Sequence, residues 1–247
     1  MLCKNTPVSA LLVTSIFALS NISLAQSHRA LDQQCYEGDV PERVIVACSA
    51  VIANHPSDKH DLATAFKNRA NAYDDKHKHE LALNDYTQAI MLDPQDADIF
   101  NSRGTTWSAL RQYARAIEDF SRALELKPGL AMAVSNRCFA KALSGQLDDA
   151  LADCNEALRL QPRSPDAMSS RAFVYLKMKR PEQAIHDYDA ALALRGDDPY
   201  SFFGRAAARR MKGNLRESDD DVVRAQSIKP DIAEHMAILG IELRAIR

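Results

Sequence analysis

Arginine recurs along this chain every 34 residues, at Arg69, Arg103, Arg137, Arg171 and Arg205. An aspartate follows each at a fixed distance (Asp85, Asp119, Asp153, Asp187, Asp221), and so does an alanine (Ala89, Ala123, Ala157, Ala191, Ala225). The clearest copy, Arg103 to Pro128, reads RGTTWSALRQYARAIEDFSRALELKP: two amphipathic helical runs, a short turn between them, and a closing proline. Five registers without an insertion are a tandem repeat, and a period in this range stacks one helix pair on the next. The predicted fold is all-α, a right-handed α-solenoid of antiparallel helix hairpins in 34-residue units, with a C-terminal capping helix.

The repeats run over 63–96, 97–130, 131–164, 165–198 and 199–230. Each first helix carries an apolar residue (Phe66, Phe100, Val134, Met168, Phe202) and, four residues on, a small one (Ala70, Gly104, Cys138, Ala172, Ala206). The second helix answers with Ala82, Ala116, Ala150, Ala184 and Ser218, so two helices can approach closely. Tyr86, Phe120, Cys154, Tyr188 and Val222 then fill the space between neighbours, at spacings that are helical and not strand-like. Ser164-Pro165 and Asp198-Pro199 pair an N-cap with proline in the first turn, while Pro94, Pro128, Pro162 and Pro230 stop the second helices. Residues 26–62 read as a divergent N-terminal hairpin, since Val44 to Pro56 matches a second helix with Cys48 in the place of Tyr86. Residues 231–247 read as one further helix, whose Ile232, Met236, Leu239 and Leu243 cover the last repeat.

Residues 1–25 stand apart. Lys4, the apolar run Val8 to Leu19 and the small-x-small tripeptide Ser23-Leu24-Ala25 form a secretory signal peptide cleaved after Ala25. The mature chain is expected in the periplasm or secreted, with no membrane insertion. Export leaves Cys35, Cys48, Cys138 and Cys154, an even number in an oxidising compartment. Two local bridges, Cys35–Cys48 and Cys138–Cys154, are the economical pairing, each joining the two helices of one hairpin. Four buried free thiols are the alternative.

With 46% hydrophobic residues and a net charge of −2, the chain lacks the basic footprint of a nucleic-acid binder. It also lacks a G-x-S-x-G elbow, an HExxH helix and a phosphate-binding glycine loop, so neither an enzyme nor a cofactor is expected. The Arg–Asp register is read as structural ion pairs bridging helices, because a catalytic site needs one constellation and not five. His77-Lys78-His79, with Asp74 and Asp75 close by, is a weak metal candidate in what reads as a solvated turn.

The helix–turn–helix unit, with Phe100, Gly104, Trp107, Ala116, Phe120, Ala123 and Pro128 in its best copy, resembles the tetratricopeptide repeat, strongly over residues 63–230 and weakly over 26–62. Asn68-Arg69-Ala70 and Asn136-Arg137-Cys138 are similar to the openings found in exported bacterial members. The resemblance implies a concave face, lined by the first helices, that binds extended peptides or partner helices. Lys67, Asn71 and Asn101 are polar there. Met132, Phe139, Leu143, Phe173, Leu176 and Phe203 are apolar, which points to a partner site. Lys67 and Asn71 also match the opening of the clamp that some chaperone-binding members close on a C-terminal carboxylate. Ser102, Met132 and Asn136 depart from the remainder, so an acidic tail is a poor ligand. The expected function is a non-enzymatic scaffold of the bacterial cell envelope with a protein or peptide partner. Self-association through the same groove is a variant. The rival is a metal-binding or redox-responsive protein that uses His77 and His79 or the Cys138–Cys154 bridge.

Overall fold

A computed structural model describes residues 30–54 and 58–243; the segment 1–25 read as a signal peptide, Pro56 and residues 244–247 lie outside them. Among the described residues there are thirteen helices and no strand. They fall into two compact units, Met1–Gln95 and Asp96–Arg247.

The first unit holds α1 (30–37), α2 (Pro41–Ala53), α3 (Lys59–Asp75) and α4 (His79–Leu92). Its core is Cys35, Val44, Ala47, Cys48 and Val51 against Ala65 and Ala72. The divergent hairpin is thus α1 and α2, covering the apolar flank of α3. Helix α3 starts at Lys59, ahead of the predicted Ala63, because the Asp58 carboxylate accepts from the His60 amide and caps it there.

The second unit runs α5 (Ala97–Ala109), α6 (Tyr113–Leu126), α7 (Ala131–Leu143), α8 (Leu147–Leu160), α9 (Pro165–Lys177), α10 (Pro181–Leu194), α11 (Pro199–Met211), α12 (Leu215–Ile228) and α13 (Ile232–Ile238). Consecutive helices pack pairwise, and each first helix also touches the next one, α5 on α7, α7 on α9 and α9 on α11. First helices therefore line one inner face, and second helices lie behind them. Ser164 and Asp198 cap α9 and α11 through bonds accepted from the amides of Ala167 and of Tyr200 and Ser201.

The turn inside every repeat is the same device. One residue at a fixed register takes positive φ: His77 (55°), Arg111 (59°), Gly145 (85°), Lys179 (58°) and Gly213 (82°). Its amide and the next one bond back to the ending helix, as in Lys179 N–H to Leu176 O at 3.0 Å and Arg180 N–H to Tyr175 O at 2.9 Å. This paired closure satisfies carbonyls that the helix end would otherwise leave open. Glycine takes the conformation freely, whereas a side chain there costs roughly 1 to 2 kcal/mol. Lys179→Gly is therefore expected to stabilise the second unit by roughly 0.5 to 1 kcal/mol, since added freedom in the unfolded chain returns part of the gain. A rise in urea midpoint checks it; a fall shows that the lysine side chain contributes more than its backbone costs.

The C-terminal segment departs from expectation. The helix predicted over 231–247 ends at Ile238. Gly240 turns at φ 79°, its amide bonds to Ala237 O, and the Ile241 amide bonds to Met236 O, both at 2.9 Å. The same closure that ends each first helix thus ends α13, and residues 241–243 continue without regular structure.

Candidate functional site

The recurring arginines meet their aspartates in all five repeats. Each guanidinium grips one carboxylate with two parallel bonds: Arg69 on Asp85 at 2.6 and 2.8 Å, Arg103 on Asp119 at 2.8 and 2.7 Å, Arg137 on Asp153 at 2.8 and 2.8 Å, Arg171 on Asp187 at 2.6 and 2.9 Å, Arg205 on Asp221 at 2.9 and 2.5 Å. All five aspartates are buried. The bonded Asp187 carboxylate holds the Arg171 guanidinium above its usual pKa range. The remaining nitrogen reaches the second helix of the preceding repeat: Arg137 Nη1 to Ser121 Oγ at 3.1 Å, Arg171 Nη1 to Asn155 Oδ1 at 3.0 Å, Arg205 Nη1 to Asp189 Oδ1 at 2.6 Å. Arg137, Arg171 and Arg205 therefore each stitch three helices together. Ser121, Asn155 and Asp189 share the 34-residue register, and that spacing is the signal by which the third contact could have been read.

The cysteines stand in the two expected pairs. Cys35 and Cys48 have Cα atoms 4.7 Å apart, Cys138 and Cys154 5.3 Å, with the sulfurs at bonding distance and all four residues buried. Both bridges are shut away from solvent, unlike the accessible sulfurs on which thiol switches act. His77 occupies the left-handed turn position and is exposed, while His79 Nδ1 lies 2.9 Å from Asp74 Oδ1. Among the described residues, no group of three or more His, Cys, Asp and Glu could hold a metal.

The expected partner residues divide. In the first unit Asn71 is exposed, and its Oδ1 accepts from the Tyr86 hydroxyl at 2.6 Å; Lys67 is half-buried. In the second unit Met132 is 63% exposed, and Phe139 and Leu143 are half-buried. Asn101 is not open to a ligand. It is buried, and its Oδ1 accepts from Asn136 Nδ2 at 3.2 Å, tying α5 to α7. Phe173, Leu176 and Phe203 are not open either, at 4%, 5% and 2% exposure. They form one core with Ile232, Met236 and Ile241 of the C-terminal segment, and Leu239 and Leu243 pack on the same cluster. Apolar side chains on an inner face would otherwise stay wet, and the chain covers them with its own end.

Beside this covered patch lies a hollow of about 560 Å³. On one side lie Ser135, Asn136, Phe139, Ser169, Ser170 and Phe173 from α7 and α9; on the other lie Tyr200, His235, Met236 and Leu239. The Phe139 and Phe173 rings sit 5.2 Å apart. Tyr188 also lines the hollow, and burial first, then the Asp198 charge, pushes its phenol far above its ordinary pKa, so it stays neutral. The lining offers aromatic surface, hydroxyls, an amide and an imidazole, with the paired Asp166 and Arg195 and the Asp198 carboxylate at its edge. That chemistry suits contact with a peptide or a helix face.

Tetratricopeptide-repeat family models match residues 63–96, 97–130 and 144–199, together half of the chain. No curated protein matches the sequence. Among solved structures, a tetratricopeptide repeat protein from Parabacteroides merdae is 20% identical with a TM-score of 0.67, over 86% of this chain and 83% of that one. A thermophilic tetratricopeptide protein of Thermus thermophilus is 20% identical with a TM-score of 0.61, over 72% and 97%. YrrB, described as a tetratricopeptide protein with an unusual peptide-binding site, is 20% identical with a TM-score of 0.55, over 78% and 96%. At these identities the likeness is one of fold. With the repeat register, the helix pairing and the matched repeats in hand, this chain belongs to the tetratricopeptide repeat family, whose proteins are generally non-catalytic scaffolds for protein–protein interaction.

Proposed function

We propose that this scaffold works in the bacterial cell envelope and binds a peptide or partner helix along the inner face of its repeats. The hollow between α7, α9 and the C-terminal segment carries this reading. It sets the half-buried Phe139 ring, packed on the buried Phe173, beside the hydroxyls of Ser135, Ser169 and Ser170, and Met132 stands exposed on the same helix as Phe139. YrrB lends support by analogy only, as a protein of similar fold with a peptide-binding site. The envelope setting draws on the N-terminal leader and on two cysteine pairs that gain from an oxidising compartment.

Site-specific photo-crosslinking tests the groove. A crosslinker at Met132 or Ser169 is expected to capture one common partner from envelope fractions, while a crosslinker at exposed Val223, on the second helix of the last repeat, does not. Equal capture from Val223, or none from the inner positions, would sink the reading. Export has its own check. Protein recovered from the periplasm is expected to begin at Gln26 and to show no free thiol until reduced. Reduction then lowers stability by about 3 kcal/mol for each bridge of this loop length. Four titratable thiols in native protein would place the chain in a reducing compartment.

A further inference from the structure

The C-terminal segment is built differently from everything it touches. The last three repeats are each fastened by an arginine fork across three helices, and α11 is further bound to α12 through Ser218 Oγ on Ala206 O at 2.9 Å and Arg209 Nη1 on Asp221 at 2.8 Å. Helix α13 has neither a second helix of its own nor a place in the arginine register. It spans seven residues, too few to persist as an isolated helix, and its Asp231 N-cap makes no side-chain cap bond. It is held chiefly by burial. Ile232, Met236 and Ile241 are buried in the cluster containing Phe173, Leu176 and Phe203. Toward the polar side, the Tyr200 hydroxyl lies 3.3 Å from His235 Nδ1.

The apolar residues Ile232, Met236 and Leu239 stand at i, i+4 and i+7. An amphipathic helix presents that spacing to a hydrophobic groove. The segment also leaves part of its channel unfilled. Beside it lie the 560 Å³ hollow and a second of about 450 Å³, where Ile238 and Leu239 face Phe139 and Leu143.

We infer that residues 231–243 are a resident ligand of the partner groove, which an incoming amphipathic helix with apolar side chains at i, i+4 and i+7 displaces. This rests on the reading that the inner face receives a partner helix, and it adds what that helix must look like and what it must overcome. A tethered occupant acts at an effective concentration in the millimolar range, so it weakens any competitor by the fraction of time the groove is filled. The two flanking hollows give the competitor a first foothold before the segment leaves. Its short helix and apolar hold allow it to leave without opening α11 and α12.

Hydrogen exchange on the full chain supplies the first test. Amides of residues 232–241 are expected to open at lower free energy than those of α11 and α12. If both sets exchange together, the segment is an integral cap and the inference is wrong. The second test uses a fluorescent synthetic peptide of residues 230–243 as probe. It is expected to bind full chain carrying Met236→Asp and Ile241→Asp at least tenfold more tightly than wild-type chain, and to lose that binding when the peptide itself carries Met236→Asp. Equal binding to both chains overturns the inference, as does collapse of α11 and α12 protection in the double variant. The outcomes separate the two readings. A segment that opens alone and exchanges with the probe, with no partner crosslinked from Met132, sinks the partner and keeps the resident ligand. Partner capture with a locked segment does the reverse.

Discussion

Replacing Asp187 with leucine is expected to destabilise the second unit by roughly 4 kcal/mol, while replacing Arg171 and Asp187 together, with methionine and leucine, returns most of that loss. Asp187 is almost fully enclosed, and both its oxygens accept from Arg171. Removing the carboxylate leaves a three-quarters-buried guanidinium with Asn155 as its remaining neutral partner. Removing the arginine alone strands a carboxylate in the core. Either single change forfeits the attraction and keeps the desolvation cost, whereas the double change drops both. The cycle should therefore show a coupling of several kcal/mol between the two sites. Urea midpoints at unchanged slope read it. Simply additive losses would mean that the fork contributes no more than an exposed ion pair, about 0 to 1 kcal/mol. Partner capture from Met132 should survive Arg171→Met at temperatures where the variant remains folded, because the fork lies behind the inner face and not on it.

The features that repeat were legible and the features that occur once were not. Arg171 could be matched to Asp187 because four other copies show the same offset, and Cys138 to Cys154 because both stand at core positions of one hairpin. The turn residues were half legible. Gly145 and Gly213 advertise a left-handed conformation, but His77, Arg111 and Lys179 hold the same angle with nothing in their chemistry to announce it. Asn101 looked like a polar contact for a ligand, and its true partner, Asn136, lies one repeat away on a neighbouring helix. The largest shift concerns Phe173, Leu176 and Phe203. Their periodicity puts them on the first helices, and there they are buried. Periodicity cannot say what covers them, since an apolar stripe on residues 231–243 reads the same whether it caps the last repeat or folds into the groove. Gly240 decides the path by ending α13 early, and a single glycine near the end of a chain carries little weight in a pattern search.

The small-against-large packing inside each hairpin gives the other strong expectation, in which the sign of one substitution depends on its neighbour. Phe120 is fully buried in a cluster with Ala116 of α6 and Ala140 of α7, against which Trp107 and Ile117 pack. Phe120→Ala should cost roughly 3 to 5 kcal/mol, the transfer of the ring plus the cavity left behind. Gly104 faces that ring so closely that an added Cβ would lie 2.8 and 2.9 Å from two of its carbons. In the wild-type chain Gly104→Ala is therefore expected to destabilise by about 1 to 3 kcal/mol from overpacking, more than the roughly 1 kcal/mol that alanine gains over glycine within a helix. Once Phe120 is alanine the obstruction is gone. The same Gly104→Ala change then fills part of the cavity and keeps its helical advantage, so it should stabilise by about 1 kcal/mol. Denaturation of the four chains in the cycle reads both signs. If Gly104→Ala stabilises the wild-type chain as well, Phe120 has room to move and the hairpin is not held by close approach of α5 and α6. If it destabilises in both backgrounds, the glycine answers to something other than the ring that faces it.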